Sequence, residues 1–159
     1  MTAPSTPPTA RPEDIDALLD QIGVPKEVRA AGAALLLEAA FVGLFAVQNL
    51  AFVRWYGWYG YVPIALLVPV VASAVAGVGL VRARAWSLRA ALAAGGVLLA
   101  ADAAWVVLLY DGGIVSPLGI ATVAGGLLAF LFVLSAARPF ARVASVRRRL
   151  RQAGYDVDL

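Results

Sequence analysis

Cysteine and histidine are both absent from the 159 residues. Without cysteine the chain can form no disulfide framework, zinc-thiolate site or thiol nucleophile, and it says nothing about its redox compartment. Without histidine it lacks the commonest metal ligand, the usual haem ligand and the usual general base near neutral pH. Charge is scarce too: 14% of residues are charged and 62% are apolar, against about 25% charged in ordinary soluble domains. The sequence therefore argues against an enzyme, a cofactor protein or a water-solvated globule. The net charge of +3 does not point to nucleic acid, because the arginines lie at the ends of apolar runs, where they set membrane topology.

Residues 1–12 are rich in Pro, Thr and Ala and carry one basic residue, Arg11. Such a tail buries too little apolar surface to offset its ordering entropy, so it reads as disordered. It does not read as a secretory signal, because acidic residues rather than an apolar core follow it, so the first hydrophobic span should remain in the mature chain. Residues 13–29 read as a cytoplasmic amphipathic helix with its linker. Ile15, Leu18, Leu19 and Ile22 fall at helical spacing, and Glu13, Asp14, Asp16 and Asp20 face the other way. Pro12 suits the first helical position, and Gly23 with Pro25 suits the end.

The next stretch, 30–137, holds four apolar segments of about the 20 residues that cross some 30 Å of hydrocarbon. They lie at about 30–53, 61–81, 88–110 and 117–137. WYGWYGY, RARAWSLR and DGGIVSP separate them, with Ser116 as N-cap and Pro117 as first helical residue of the last. The fold class is all-α: a polytopic protein with four transmembrane helices. With both termini inside, twelve of the thirteen Lys and Arg are cytoplasmic and only Arg54 is outside, which follows the positive-inside rule. Trp and Tyr of the first loop suit the headgroup level. The predicted location is the inner (plasma) membrane of a bacterium, the Ala, Arg and Gly richness fitting a GC-rich one.

Residues 138–159 read as a basic surface helix and tail. Phe140, Val143, Val146 and Leu150 form one side, and Arg142, Arg147, Arg148, Arg149 and Arg151 fill much of the rest. Each basic residue near an anionic lipid surface contributes about 1 kcal/mol. These arginines and the stripe Ile15, Leu18, Leu19 and Ile22 are the candidates for contact with lipid or a protein partner.

Two acids lie inside the spans, where a carboxyl is costly and needs a partner or a purpose. Counting from Ala30 and Leu88 places Glu38 about 12 Å and Asp102 about 21 Å from the inner side, an offset of about two turns. They could relay protons or cations, or hydrogen-bond to neighbouring helices and hold them together. Pro69 should kink the second span. Small residues favour close helix approach, and Ala121, Gly125 and Ala129 make a small-xxx-small stripe for the bundle or for a homo-oligomer.

The segment GVGLVRARAWSLRAALAAGGVLLA, a hairpin with arginines between apolar helices and a Trp at 86, resembles a common type of small four-helix bacterial membrane protein. That resemblance implies an architecture and no activity. GAALLLEAAF resembles the first helix of the small multidrug-resistance exporters, which also place one Glu there, but the acidic N-terminal segment and basic tail depart from that family. The reading that results is a non-enzymatic accessory or scaffold protein with no cofactor and no metal. It would act on the lipid bilayer, a protein partner or a second copy. The alternative is a small proton-coupled transporter or channel using Glu38 and Asp102.

Overall fold

The computed structural model describes residues 23–51, 60–111, 113 and 116–152. The acidic helix with Ile15, Leu18, Leu19 and Ile22, most of the WYGWYGY loop, Arg11 and Arg54 lie outside them. Four helices make up the described chain: α1 Lys26–Leu50, α2 Val62–Val81, α3 Ser87–Asp111 and α4 Pro117–Gln152. All four are long and apolar enough to cross a membrane.

Helix ends follow from local chemistry. The Pro25 carbonyl accepts from the N–H groups of Val28 and Arg29 to start α1, with Glu27 in its first turn, where a negative charge complements the helix dipole. At the far end Asn49 donates its Nδ2 to the Phe45 carbonyl at 2.8 Å. Ser116 caps α4 through its Oγ, which accepts from the Gly119 N–H at 3.1 Å, and Pro117 opens the helix. Both interior prolines are absorbed: α2 continues through Pro69 and α4 through Pro139.

The helices pack in ring order, α1 between α2 and α4 and α3 opposite it, with only slight direct contact between α1 and α3. The buried residues repeat every seven. In α4 they are Gly119, Gly126, Val133, Phe140 and Arg147, with Thr122, Ala129, Ala136, Val143 and Leu150 between them. In α1 the series Val28, Leu35, Val42 and Ala31, Glu38, Phe45 do the same, as do Ala91, Leu98, Trp105 and Gly95, Asp102, Leu109 in α3. A seven-residue repeat keeps one seam inward when helices cross at a shallow left-handed angle. The outward faces are apolar as well: Leu37, Phe41, Val68, Val97, Leu128 and Phe132 are all about half exposed or more. Faces apolar all round are unfavourable in water.

Two apolar clusters fill the bundle. One joins Val28, Leu35, Leu80, Ala91, Val133 and Phe140, and the other Phe45, Ala46, Leu66, Trp105 and Leu109. The first lies at the end that carries every lysine and arginine among the described residues, from Lys26 and Arg29 through Arg82, Arg84 and Arg89 to those of α4. Tyr61 and Tyr110 are exposed near the opposite end.

The fourth helix departs from the sequence reading. Its 36 residues run unbroken across Arg138–Pro139, where a span was expected to end and a separate surface helix to begin. At 1.5 Å per residue it is about 54 Å long, well beyond the roughly 30 Å of a bilayer core. Its inward row beyond Phe140 is Val143, Arg147 and Leu150, so Arg147 takes the buried place that sequence spacing assigned to Val146. The cause is a long-range hydrogen bond: Arg147 Nη1 donates to the Ala83 carbonyl at 2.9 Å.

Ala83 sits at the turn between α2 and α3 with φ +50°. The N–H of Arg84 reaches the Gly79 carbonyl at 3.0 Å and that of Ala83 the Leu80 carbonyl at 2.8 Å, the paired bonds of a Schellman stop. Glycine usually fills this left-handed position, since a Cβ costs about 1–2 kcal/mol there. Ala83→Gly should therefore be stabilising by at most about 1 kcal/mol, once the greater backbone entropy of glycine and the loss of a buried methyl are subtracted. Thermal unfolding in mild detergent should show a higher midpoint for it and a lower one for Ala83→Val, whose branched side chain suits that conformation still less.

Candidate functional site

Between the two apolar clusters lies a layer of polar side chains. Glu38 comes from α1, Ser73 from α2, Asp102 from α3 and Thr122 from α4, and all four are buried. Each occupies an inward position of the seven-residue repeat, and that position is what carries it into the bundle.

Glu38, only 6% exposed, lies with its carboxyl against the backbone of α4. A Cβ added at Gly125 would come within 2.8 Å of Oε2, and one at Gly126 within 2.9 Å of Oε1. The adjacent glycines thus form the recess that holds the carboxyl. Asp102 is wholly buried, and Thr122 of α4 lies beside it. The threonine hydroxyl spends its one proton on the Gly119 carbonyl, at 2.7 Å. Neither carboxyl oxygen of Asp102 then has a hydrogen-bond partner among the described residues, and Ser73 Oγ and Trp105 Nε1 are buried without one too. A buried polar group left without a partner costs about 1–3 kcal/mol. Glu38, by contrast, meets α4 at the two bare glycines.

The two acids share more of the interior than the sequence count suggests. Helix α1 begins at Lys26 rather than Ala30, which puts Glu38 about 18 Å along it, against about 22 Å for Asp102 along α3. Helix α4 gives the same answer, since Gly125–Gly126 and Thr122 are about one turn apart. The expected two-turn offset is reduced to about one. No arginine or lysine shares their layer among the described residues. There, too, no third acid joins them in a group able to hold a metal ion.

The remaining candidates separate. Arg142, Arg148, Arg149 and Arg151 are exposed on α4, whereas Arg147 turns inward to the Ala83 carbonyl. Of the stripe of small residues Ala129 is buried, Gly125 half-buried and Ala121 exposed, and the inward row runs through Thr122, Gly126 and Ala129. Gly126 and Thr122 escaped sequence reasoning. The seven-residue spacing from Gly119 through Gly126 to Val133 was the signal that could have found them.

If the glycine recess exists to seat the Glu38 carboxyl, filling it should matter only while that carboxyl is present. Gly126→Ala should cost about 1–3 kcal/mol by overpacking, and should cost less by at least about 0.5 kcal/mol in a Glu38→Ala background. A double-mutant cycle of detergent unfolding midpoints measures that coupling, and additive effects would separate the glycine from the acid.

Known protein families, characterised proteins and solved structures, each compared with this chain, contain no match to it, so the reading of function rests on its own residues and geometry.

Proposed function

We propose that this chain is a multi-pass protein of a bacterial inner membrane, with both ends in the cytoplasm, acting as a non-enzymatic accessory or scaffold. The observation that carries this reading is the undivided fourth helix. It extends past the apolar clusters and is braced from within by Arg147, while Arg142, Arg148 and Arg149 remain exposed. A rigid basic arm of this kind suits anionic lipid or an acidic protein partner. The collection of positive charge at one end supports the orientation. The close seating of Glu38 against two glycines supports a packing role for the interior acid.

The orientation can be measured against a clean background, since the chain has no cysteine of its own. Gly113→Cys should react with an impermeant thiol reagent in intact cells and Ala85→Cys should not; the reverse pattern overturns the orientation. For the arm, a photo-crosslinking residue replacing Arg148 should give a discrete lipid or protein adduct in native membranes. The adduct should fall several-fold when Arg142 and Arg149 become Gln, and absence of any adduct would remove the scaffold reading.

One observation favours a second reading, a small proton- or cation-coupled transporter. Glu38 and Asp102 share a layer without a counter-charge among the described residues, and ionisable groups within a membrane commonly mark ion pathways. Under that reading, vesicles holding the purified chain should show a proton-linked flux that Glu38→Gln abolishes. Wild-type vesicles without flux would leave the scaffold reading alone.

A further inference from the structure

The turn after α2 shapes a groove that neither the interior acids nor the basic arm involves. It has a volume of about 340 Å³ and is lined by Val75, Val78 and Gly79 along the helix and by Arg82, Arg84 and Trp86 at its mouth. Gly79 is required for its form. A Cβ there would lie 3.0 Å from Trp86 Cη2 and 2.9 Å from Ser87 Cβ, so the indole leans against bare helix backbone. The Schellman turn at Ala83 places Arg82 and Arg84 either side of the left-handed residue. Neither guanidinium makes a hydrogen bond or ion pair among the described residues, and both are exposed. Below them Val75 and Val78 are exposed apolar side chains.

We infer that this groove binds one anionic phospholipid, its phosphate between Arg82 and Arg84, its upper acyl chain along Val75 and Val78, and its interfacial region against Trp86. The inference rests on the membrane reading above and extends it to a defined ligand. Three chemistries coincide over the right length. Two guanidiniums without partners among the described residues complement a phosphate, which arginine can grip through paired donors. An amphipathic indole suits the boundary between headgroup and chain. Val75 lies seven residues before Arg82, about 10 Å down the helix, where hydrocarbon replaces headgroups. A soluble anion would use the arginines alone and leave the valine wall bare, which is why a lipid is the occupant that fits the whole groove.

Native mass spectrometry of the full chain, released from detergent containing equal phosphatidylglycerol and phosphatidylcholine, tests this. Wild type should retain one phosphatidylglycerol in preference to phosphatidylcholine. The preference should fall about fivefold for each of Arg82→Ala and Arg84→Ala, the worth of one basic residue beside anionic lipid. Val75→Trp, a change on the outward face that fills the groove without altering charge, should lower retention as well. The pair Arg89→Ala and Arg138→Ala removes twice the charge of either single variant from the same end, outside the groove, and should leave the preference intact. Equal loss in that control pair, or full retention in Val75→Trp, would overturn the site in favour of general attraction between a basic end and anionic lipid. A chain recovered in the soluble fraction of cells would instead overturn the membrane reading, and this site with it.

Discussion

The inside and the outside of this bundle are almost equally apolar, so hydrophobicity cannot tell each helix which way to face. Leu37, Phe41 and Leu128 point outward while Leu35, Leu98 and Val133 point inward, and transfer free energy scarcely distinguishes the two sets in lipid. What remains is shape and polarity. Gly32 and Gly77 bring α1 and α2 so close that an added Cβ on either would strike the other's carbonyl at about 3 Å. Gly125 and Gly126 let α4 close over Glu38. In the membrane setting proposed above, where no hydrophobic force draws helices together, contacts of this kind would set rotation and depth.

The polar layer depends on that constraint. Glu38, Ser73, Asp102 and Thr122 stand at inward repeat positions with an apolar cluster on either side. Turned outward, each would meet the same surroundings as Phe41 or Leu128. Turned inward, Glu38 gains a fitted recess, and Asp102 lies in the company of Thr122 without a hydrogen bond from it. Such groups lower stability, and under the packing role proposed above they would penalise other rotations or registers of α1 and α3. A buried polar group can select one packing over its competitors in this way, even where an apolar residue would be more stable.

At the basic end the same economy of small residues builds a tertiary clasp. Gly79 admits Trp86, the turn leaves the Ala83 carbonyl facing α4, and Arg147 donates to it across 64 positions of sequence. An arginine that would otherwise join the exposed charge becomes a strut, and the helix that carries it continues unbroken beyond the apolar clusters. The groove below Arg82 and Arg84 is built around that same turn.

The four apolar helices, the cap at Ser116–Pro117 and the gathering of arginines at one end follow from composition and spacing, because run length and end chemistry are local properties. The place of Glu38 and Asp102 inside apolar helices was legible for the same reason: an acid inside an apolar run stands out wherever the run folds. Their distance was not. It depends on where α1 starts, at Lys26 rather than Ala30, and on which face of α4 lies opposite. Residues 117–152 form one continuous helix rather than two, because Arg138–Pro139 resembles a break only while α4 is considered alone. Packing of Phe140 against α1, and the bond from Arg147 to Ala83, carry the helix through. Sequence alone determined which segments are helices and which end bears the charge, since each residue contributes to those independently. Tertiary structure alone decided which face turns inward, because in a chain apolar on every side that choice rests on contacts between residues far apart in sequence.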